Sequence, residues 1–178
     1  QGSLSRIEAI SQGIGRAFPV RVVPWPSGDH GYGAASFQAD LFYLVPALGR
    51  LAGMGLAGAY KLALLLTNLA TAAVAFWSFR KCLKRRETAL MGSVLYLWCP
   101  YRLHEMYVDG NLGAGMAWIF LPIVISGMIR LYTMDRGEDG YGRLWMPLAC
   151  GFSFLALSST SVLMVTLGMG ILLFLFMG

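Results

Sequence analysis

CPYRLHEMYVDGN, residues 99 to 111, gathers ionisable groups into one short connection of an otherwise apolar chain. Arg102, His104, Glu105 and Asp109 stand there, with Tyr101 and Tyr107 among them. If a helix continues past Tyr101, Arg102, Glu105 and Asp109 share one face, since positions i, i+3 and i+7 do so. Two chemistries are open to such a face. A surface ion pair of Arg102 with Glu105 contributes only about 0 to 1 kcal/mol. Alternatively, Arg102 holds an anionic headgroup. Glu105, His104 or Asp109 then transfers a proton or binds a divalent cation such as Mg or Mn.

Other polar groups are scattered. SGDHGYG, at 27 to 33, sets Asp29 and His30 between glycines, which let a backbone approach a ligand but also serve any tight turn. Asp40 precedes an apolar run and is placed to N-cap a helix. Lys61 lies near the end of an apolar stretch, where snorkelling to an interface accounts for it without function. Thr67, Asn68 and Thr71 are of the type that joins helices inside a membrane. No serine nucleophile with a histidine partner, zinc site or nucleotide fold is recognisable.

The elements that must position these groups are helices in a bilayer. Of 178 residues, 57% are hydrophobic and 13% charged, and mean hydropathy is +0.61. A soluble domain of this size needs more polar surface. Leu62 to Phe79, Asn111 to Ile129 and Leu144 to Gly178 carry no charge. At about 1.5 Å per residue such runs cross, or nearly cross, a hydrocarbon core. They do not alternate, which excludes a membrane barrel. The predicted class is therefore an all-α, polytopic membrane protein. The net charge of +5 is concentrated in FRKCLKRRE, a membrane-flanking loop, so nucleic acid is not an expected partner.

About five spanning helices are predicted, near 56 to 79, 88 to 101, 111 to 131, 144 to 157 and 161 to 178, with SSTS as the last turn and Pro122 as a kink. Residues 4 to 18 carry Ile7, Ile10, Ile14 and Phe18 at helical spacing, an amphipathic helix for the membrane surface. DLFYLVPALGR is too short to span and contains Pro46, which predicts an interfacial or re-entrant helix. The chain thus divides into 1–3, resembling a tag scar; 4–55, an extracytoplasmic loop; and 56–178, the transmembrane region. Both ends read as cuts within a larger polypeptide. Cys82, Cys99 and Cys150 have no metal or redox spacing; Cys99 and Cys150 read as packing residues, and Cys82 as a free thiol or a palmitoylation site.

RIEAI, FPVRVVP, GYG, DLFYLVPAL, AYKL, PYRLHEMYV and FLPIVISGM, in that order, resemble a bacterial family of large polytopic membrane proteins labelled 6-pyruvoyl-tetrahydropterin synthase-related. No pterin-enzyme zinc site accompanies the resemblance. The family in turn is similar to the C-class glycosyltransferases, which take a sugar from a polyprenyl-phosphate carrier at the outer membrane face. The likeness runs from about Arg6 to Leu131, and PYRL is its most specific part. It implies an acid/base residue, cast here as Asp29 or Asp40. It also implies phosphate-holding groups, cast as Arg102, His104, Tyr101, Lys61 and His30. Where the family reads closer to RGALGE this chain has DGNLGA, so Asp109 and Ala114 replace the arginine and the glutamate. A transporter or flippase for a lipid-linked substrate, and a non-catalytic assembly subunit, are the alternatives. The expected place is the bacterial cell membrane, multi-pass.

Arg80, Lys81, Lys84, Arg85, Arg86, Arg136 and Arg143 fall in two loops on one side, against Arg102 alone in the 101–110 connection. The positive-inside rule puts the basic loops in the cytoplasm. A membrane-impermeant thiol reagent applied to intact cells should therefore label a cysteine introduced at Gly110 and spare Cys82. Labelling of Cys82 from outside reverses the topology.

Overall fold

The computed structural model describes Leu4, Ile7, Glu8, Ile10, Ser11 and residues 43–83, 85–134 and 141–177. Among the described residues the regular structure is entirely helical. It consists of α1 (Leu44–Leu51), α2 (Leu56–Cys82), α3 (Arg86–Leu97), α4 (Pro100–Leu103), a π-helical turn (His104–Val108), α5 (Leu112–Thr133), a 3-10 turn (Tyr141–Arg143), α6 (Trp145–Ser158) and α7 (Thr160–Met177). α2 and α5 are long and apolar enough to cross a membrane, and α7 is a shorter apolar helix.

α2 presents one face of small side chains. Ala59, Ala63, Thr67, Thr71, Ala75 and Ser78 recur at helical spacing and are all buried. The Thr67 and Thr71 hydroxyls donate to Ala63 O and Thr67 O within their own helix, at 2.8 and 2.6 Å, which hides their polarity. Helices packed in lipid gain by close approach, which small residues permit. α5 is the central helix, with Leu112 through Ala117 buried as an unbroken run. α2 and α5 run in the same direction: Tyr60 approaches Gly110 just ahead of α5, and Cys82 Sγ donates to Ser126 O at 3.6 Å near the far end.

Between them the chain returns along α2. Phe79 packs over Gly92 and meets Tyr96 edge to face at 6.0 Å. α5, α6 and α7 then form an up-down-up set. Gly127 faces Leu148, Gly151 faces Val124, and the Phe120 and Phe154 rings stack at 4.8 Å. α6 stops where Ser159 turns extended, and α7 comes back to set Gly170 against Met128. The turn falls within SSTS, where the break in apolarity predicted it.

The opposite surface of α2 exposes Leu65, Leu66, Leu69 and Trp77, and α7 exposes Phe174, Leu175 and Phe176. An apolar belt of this extent is unfavourable in water and suits a bilayer. α1, at eight residues, reaches only about 12 Å and falls far short of a span. Pro46 lies in its first turn, where a missing N–H breaks no helical bond, so it does not interrupt α1. Gly53 then turns the chain at φ 91°. Ile7 and Ile10 are fully buried against Tyr43, Ala47, Ala63, Leu112 and Met116, so these two side chains pack into the protein instead of facing lipid.

Two expectations need correction. The second leg is not one helix to Tyr101: α3 ends at Leu97, and the path continues as α4 and the π turn. Cys150 is exposed on α6 and is no packing residue, while Cys82 and Cys99 are half-buried; all three are free thiols.

A Cβ added at Gly151 would stand 2.5 Å from Val124 Cγ2. Gly151→Ala should therefore destabilise the α5–α6 contact by about 1–3 kcal/mol, the usual cost of overpacking. Combining it with Val124→Ala should lose clearly less than the sum of the two single changes, read by thermal unfolding in detergent.

Candidate functional site

The site grows from Pro100. Lacking an N–H and restricting the residue before it, proline ends the ladder of α3, and Cys99 is extended there at ψ 118°. The Leu97 carbonyl is left behind at this break. Arg102, two residues after the proline, donates to it through Nη1 at 3.0 Å. Its Nη2 donates to Asn68 Oδ1. The amide of Asn68 is spent in the same network, Nδ2 donating to Leu64 O at 2.9 Å and to Tyr107 Oη at 3.0 Å. Arg102 is 1% exposed, and its buried Nε meets no acceptor among the described residues.

Asn68 lies midway along the 27 residues of α2, about 18 Å from its first residue. Arg102 therefore sits level with the middle of α2 and not beside either of its ends. The reason is that the chain continues helically along α2 after the break, past Tyr107 beside Asn68, until Gly110 reaches Tyr60.

The π turn decides where the acidic groups go. Asp109 N donates to His104 O at 3.1 Å, and Asn111 N to Glu105 O at 3.0 Å, wider closures than an α-helix makes. The expected common face of Arg102, Glu105 and Asp109 is not formed, and neither is the Arg102–Glu105 ion pair. Glu105 instead accepts from Tyr101 Oη on Oε1 and from Trp118 Nε1 on Oε2, both at 3.2 Å. Trp118 is flanked by the Tyr96 and Tyr101 rings at 5.8 and 6.0 Å, and Tyr96 Oη donates to Trp118 O at 2.7 Å. Met106 points inward against Gly115, and Gly110 closes the turn at φ 61°. Asn111 then N-caps α5 by accepting from Ala114 N at 3.2 Å.

His104 pairs with Asp109, Nδ1 to Oδ2 at 3.2 Å, and both side chains are more than half exposed. With Nδ1 facing the carboxylate, Nε2 is free to take or give a proton. Tyr101 is exposed, and Lys61 is exposed on the stripe of α2 that carries Asn68, two turns nearer its start. Asp29, His30 and Asp40 lie outside the described residues. Glu105 and Asp109 do not converge as cation ligands, since one faces Trp118 and Tyr101 and the other His104. Among the described residues no group of three or more His, Cys, Asp or Glu side chains forms a metal site. Magnesium or manganese, which take several oxygens at once, do not fit these two carboxylates.

Asn68, read from the sequence only as a residue that joins helices, and Trp118 are the site residues not assigned there. Asn68 carried a signal, as an amide in an uncharged run seven residues from Lys61. Trp118 carried none. Comparison of the chain with protein-family models, curated proteins and solved structures finds no match.

Asn68→Leu should cost about 1.5–3 kcal/mol, because it strands a buried charge that had a hydrogen-bonded acceptor. Asn68→Leu with Arg102→Met should cost less than Asn68→Leu alone, since no charge is then left to strand. Equilibrium unfolding in detergent micelles measures both. A double variant less stable than the single would place the strain elsewhere.

Proposed function

We propose that the chain is part of a membrane glycosyltransferase-like protein that binds a polyprenyl-phosphate-linked sugar at the outer face of a bacterial cell membrane. The observation that carries the reading is Arg102, a guanidinium buried beside the middle of α2 whose Nε meets no acceptor among the described residues. An ionisable side chain at such depth is costly and marks a substrate path more readily than a structural pair. A guanidinium holds a phosphate through parallel hydrogen bonds, and Nε with one Nη is the fork that does so. A phosphate reaches it by displacing Asn68 or the π turn, a geometry rare in helices and frequent at functional sites. The resemblance centred on PYRL supports the same substrate.

In this reading α2, the leg from α3 through the π turn, α5, α6 and α7 make five crossings. The acceptor hydroxyl attacks the anomeric carbon, the carrier phosphate leaves, and a base takes the hydroxyl proton. Asp29 and Asp40 are the candidates implied by the resemblance. His104, oriented by Asp109, is the candidate among the described residues. A carrier that moves the same substrate intact is the second reading, favoured by the break at Trp98–Cys99 and its freed carbonyl, since transporters build midplane sites from broken helices.

Titration of the purified protein with a short-chain polyprenyl phosphate tests the clamp. Arg102→Ala should weaken binding by roughly 1.5 to 3 kcal/mol, and Arg102→Lys should recover only part, with helix content unchanged. Equal affinities across wild type and both variants would remove the proposal. In proteoliposomes loaded with the lipid-linked sugar, release of free polyprenyl phosphate marks the enzyme, and movement between leaflets without release marks the carrier.

A further inference from the structure

We infer that the end of the bundle opposite the π turn is a binding site for the headgroup of an acidic phospholipid. The inference rests on the membrane reading of the fold and not on glycosyl transfer at Arg102. α2 ends here, α3 begins, α5 ends and α6 begins. The contacts of Phe79 with Gly92, Cys82 with Ser126 and Gly127 with Leu148 hold these four ends together. Two helix C-termini and two N-termini meet, so their opposite partial charges largely offset. The side chains then set the potential, and they are Arg80, Lys81, Arg85, Arg86, Arg130 and Arg143. Among the described residues Glu87 is the acidic one at this end, and none of the six forms an ion pair with another described residue; the sequence adds Lys84, Arg136, Asp135, Glu138 and Asp139 to the same two connections, which leaves basic residues in excess there.

A solvated basic loop would suffice to orient the chain in a membrane, but two features go further. Arg130 stands inside the last turn of α5, half-buried, with Nη2 3.3 Å from Met134 Sδ and no anionic partner among the described residues. One turn earlier on α5, Ser126 O accepts from Cys82 Sγ, which brings Lys81, the neighbour of Cys82, to the same junction of α2 and α5. Lys81 Nζ lies 3.1 Å from the centroid of the Trp77 ring. Trp77 and Trp145 are 53% and 63% exposed at this end, the amphipathic rings found at headgroup level. Next to the cations, Leu83, Ile129 and Leu131 are exposed apolar surface. Cations set between helix ends, interfacial tryptophans and an adjoining apolar wall match a phosphate headgroup whose tails run along the bundle.

The full chain, reconstituted in phosphatidylcholine vesicles with spin-labelled phosphatidylglycerol or spin-labelled phosphatidylcholine, tests this by electron paramagnetic resonance. Phosphatidylglycerol should associate at least about three-fold more strongly at low salt, and the preference should shrink in 0.5 M sodium chloride. Lys81→Gln with Arg130→Gln should remove most of it. Arg80→Gln with Arg143→Gln, at exposed positions that disturb no packing, should lower it in part and serves if the first pair fails to reconstitute. Equal association of the two lipids with wild type overturns the inference, as does a preference unchanged in a folded variant. Loss of the preference on adding millimolar inorganic phosphate at constant ionic strength would also overturn it, by assigning the site to a free anion.

Discussion

A guanidinium taken out of water into a helix bundle governs the rest of this structure. Desolvating such a group costs several kcal/mol even after relaxation, and neutral partners return only part of that. Arg102 has two: a carbonyl that Pro100 freed by ending α3, and an amide on α2 that Tyr107 and Leu64 O hold in place. Each partner imposes a condition. The leg must lie along α2 at the level of Asn68. The π turn must place Tyr107 on that amide, Gly110 must turn at φ 61°, and Gly115 must stay small enough for Met106 to sit against α5. The small-residue face of α2 meets the same demand from the other side, by letting α5 come close.

The distribution of charge divides the molecule along its helices. Arg80, Lys81, Arg85, Arg86, Arg130 and Arg143 occupy one end, while His104, Asp109 and Lys61 lie toward the other. Pairing α2 with the leg that follows and α5 with α6 is what brings separate stretches of sequence to common ends. A bilayer favours such an arrangement, since cations collect beside an anionic leaflet and are costly at the hydrocarbon centre. Arg102 is the exception, a basic side chain held level with the middle of α2.

Apolarity and its interruptions were enough to read α2, α5 and the turn at Ser159, because the length of an uncharged run is a local property. The eight-residue α1 was legible for the same reason. The π turn was not. Reading Arg102, Glu105 and Asp109 as one face assumed that α-helical spacing continues, and a single widened turn sends each side chain to a different partner. Asn68 and Arg102 are 34 residues apart, so their pairing depends on how two legs register, which no local spacing encodes. The acids implied by resemblance, Asp29 and Asp40, lie outside the described residues, and Glu105 proved to be a carboxylate held by Tyr101 and Trp118 instead of a partner for Arg102.

Stability alone does not account for an arginine at this position. Methionine or leucine would occupy similar space beside α2 without desolvating a charge, and replacing buried charges by apolar groups is often neutral or stabilising. Nor is the network closed among the described residues, since Nε is buried there without an acceptor, and an incompletely satisfied polar network is less favourable than an apolar one. A bound anion would supply the missing acceptor and offset the charge together. The same approach must open the contact with Asn68 or shift the π turn, so binding and helix geometry are coupled at this point. The feature that makes Arg102 a poor structural residue, an Nε without an acceptor among the described residues, is one that a bound anion would satisfy.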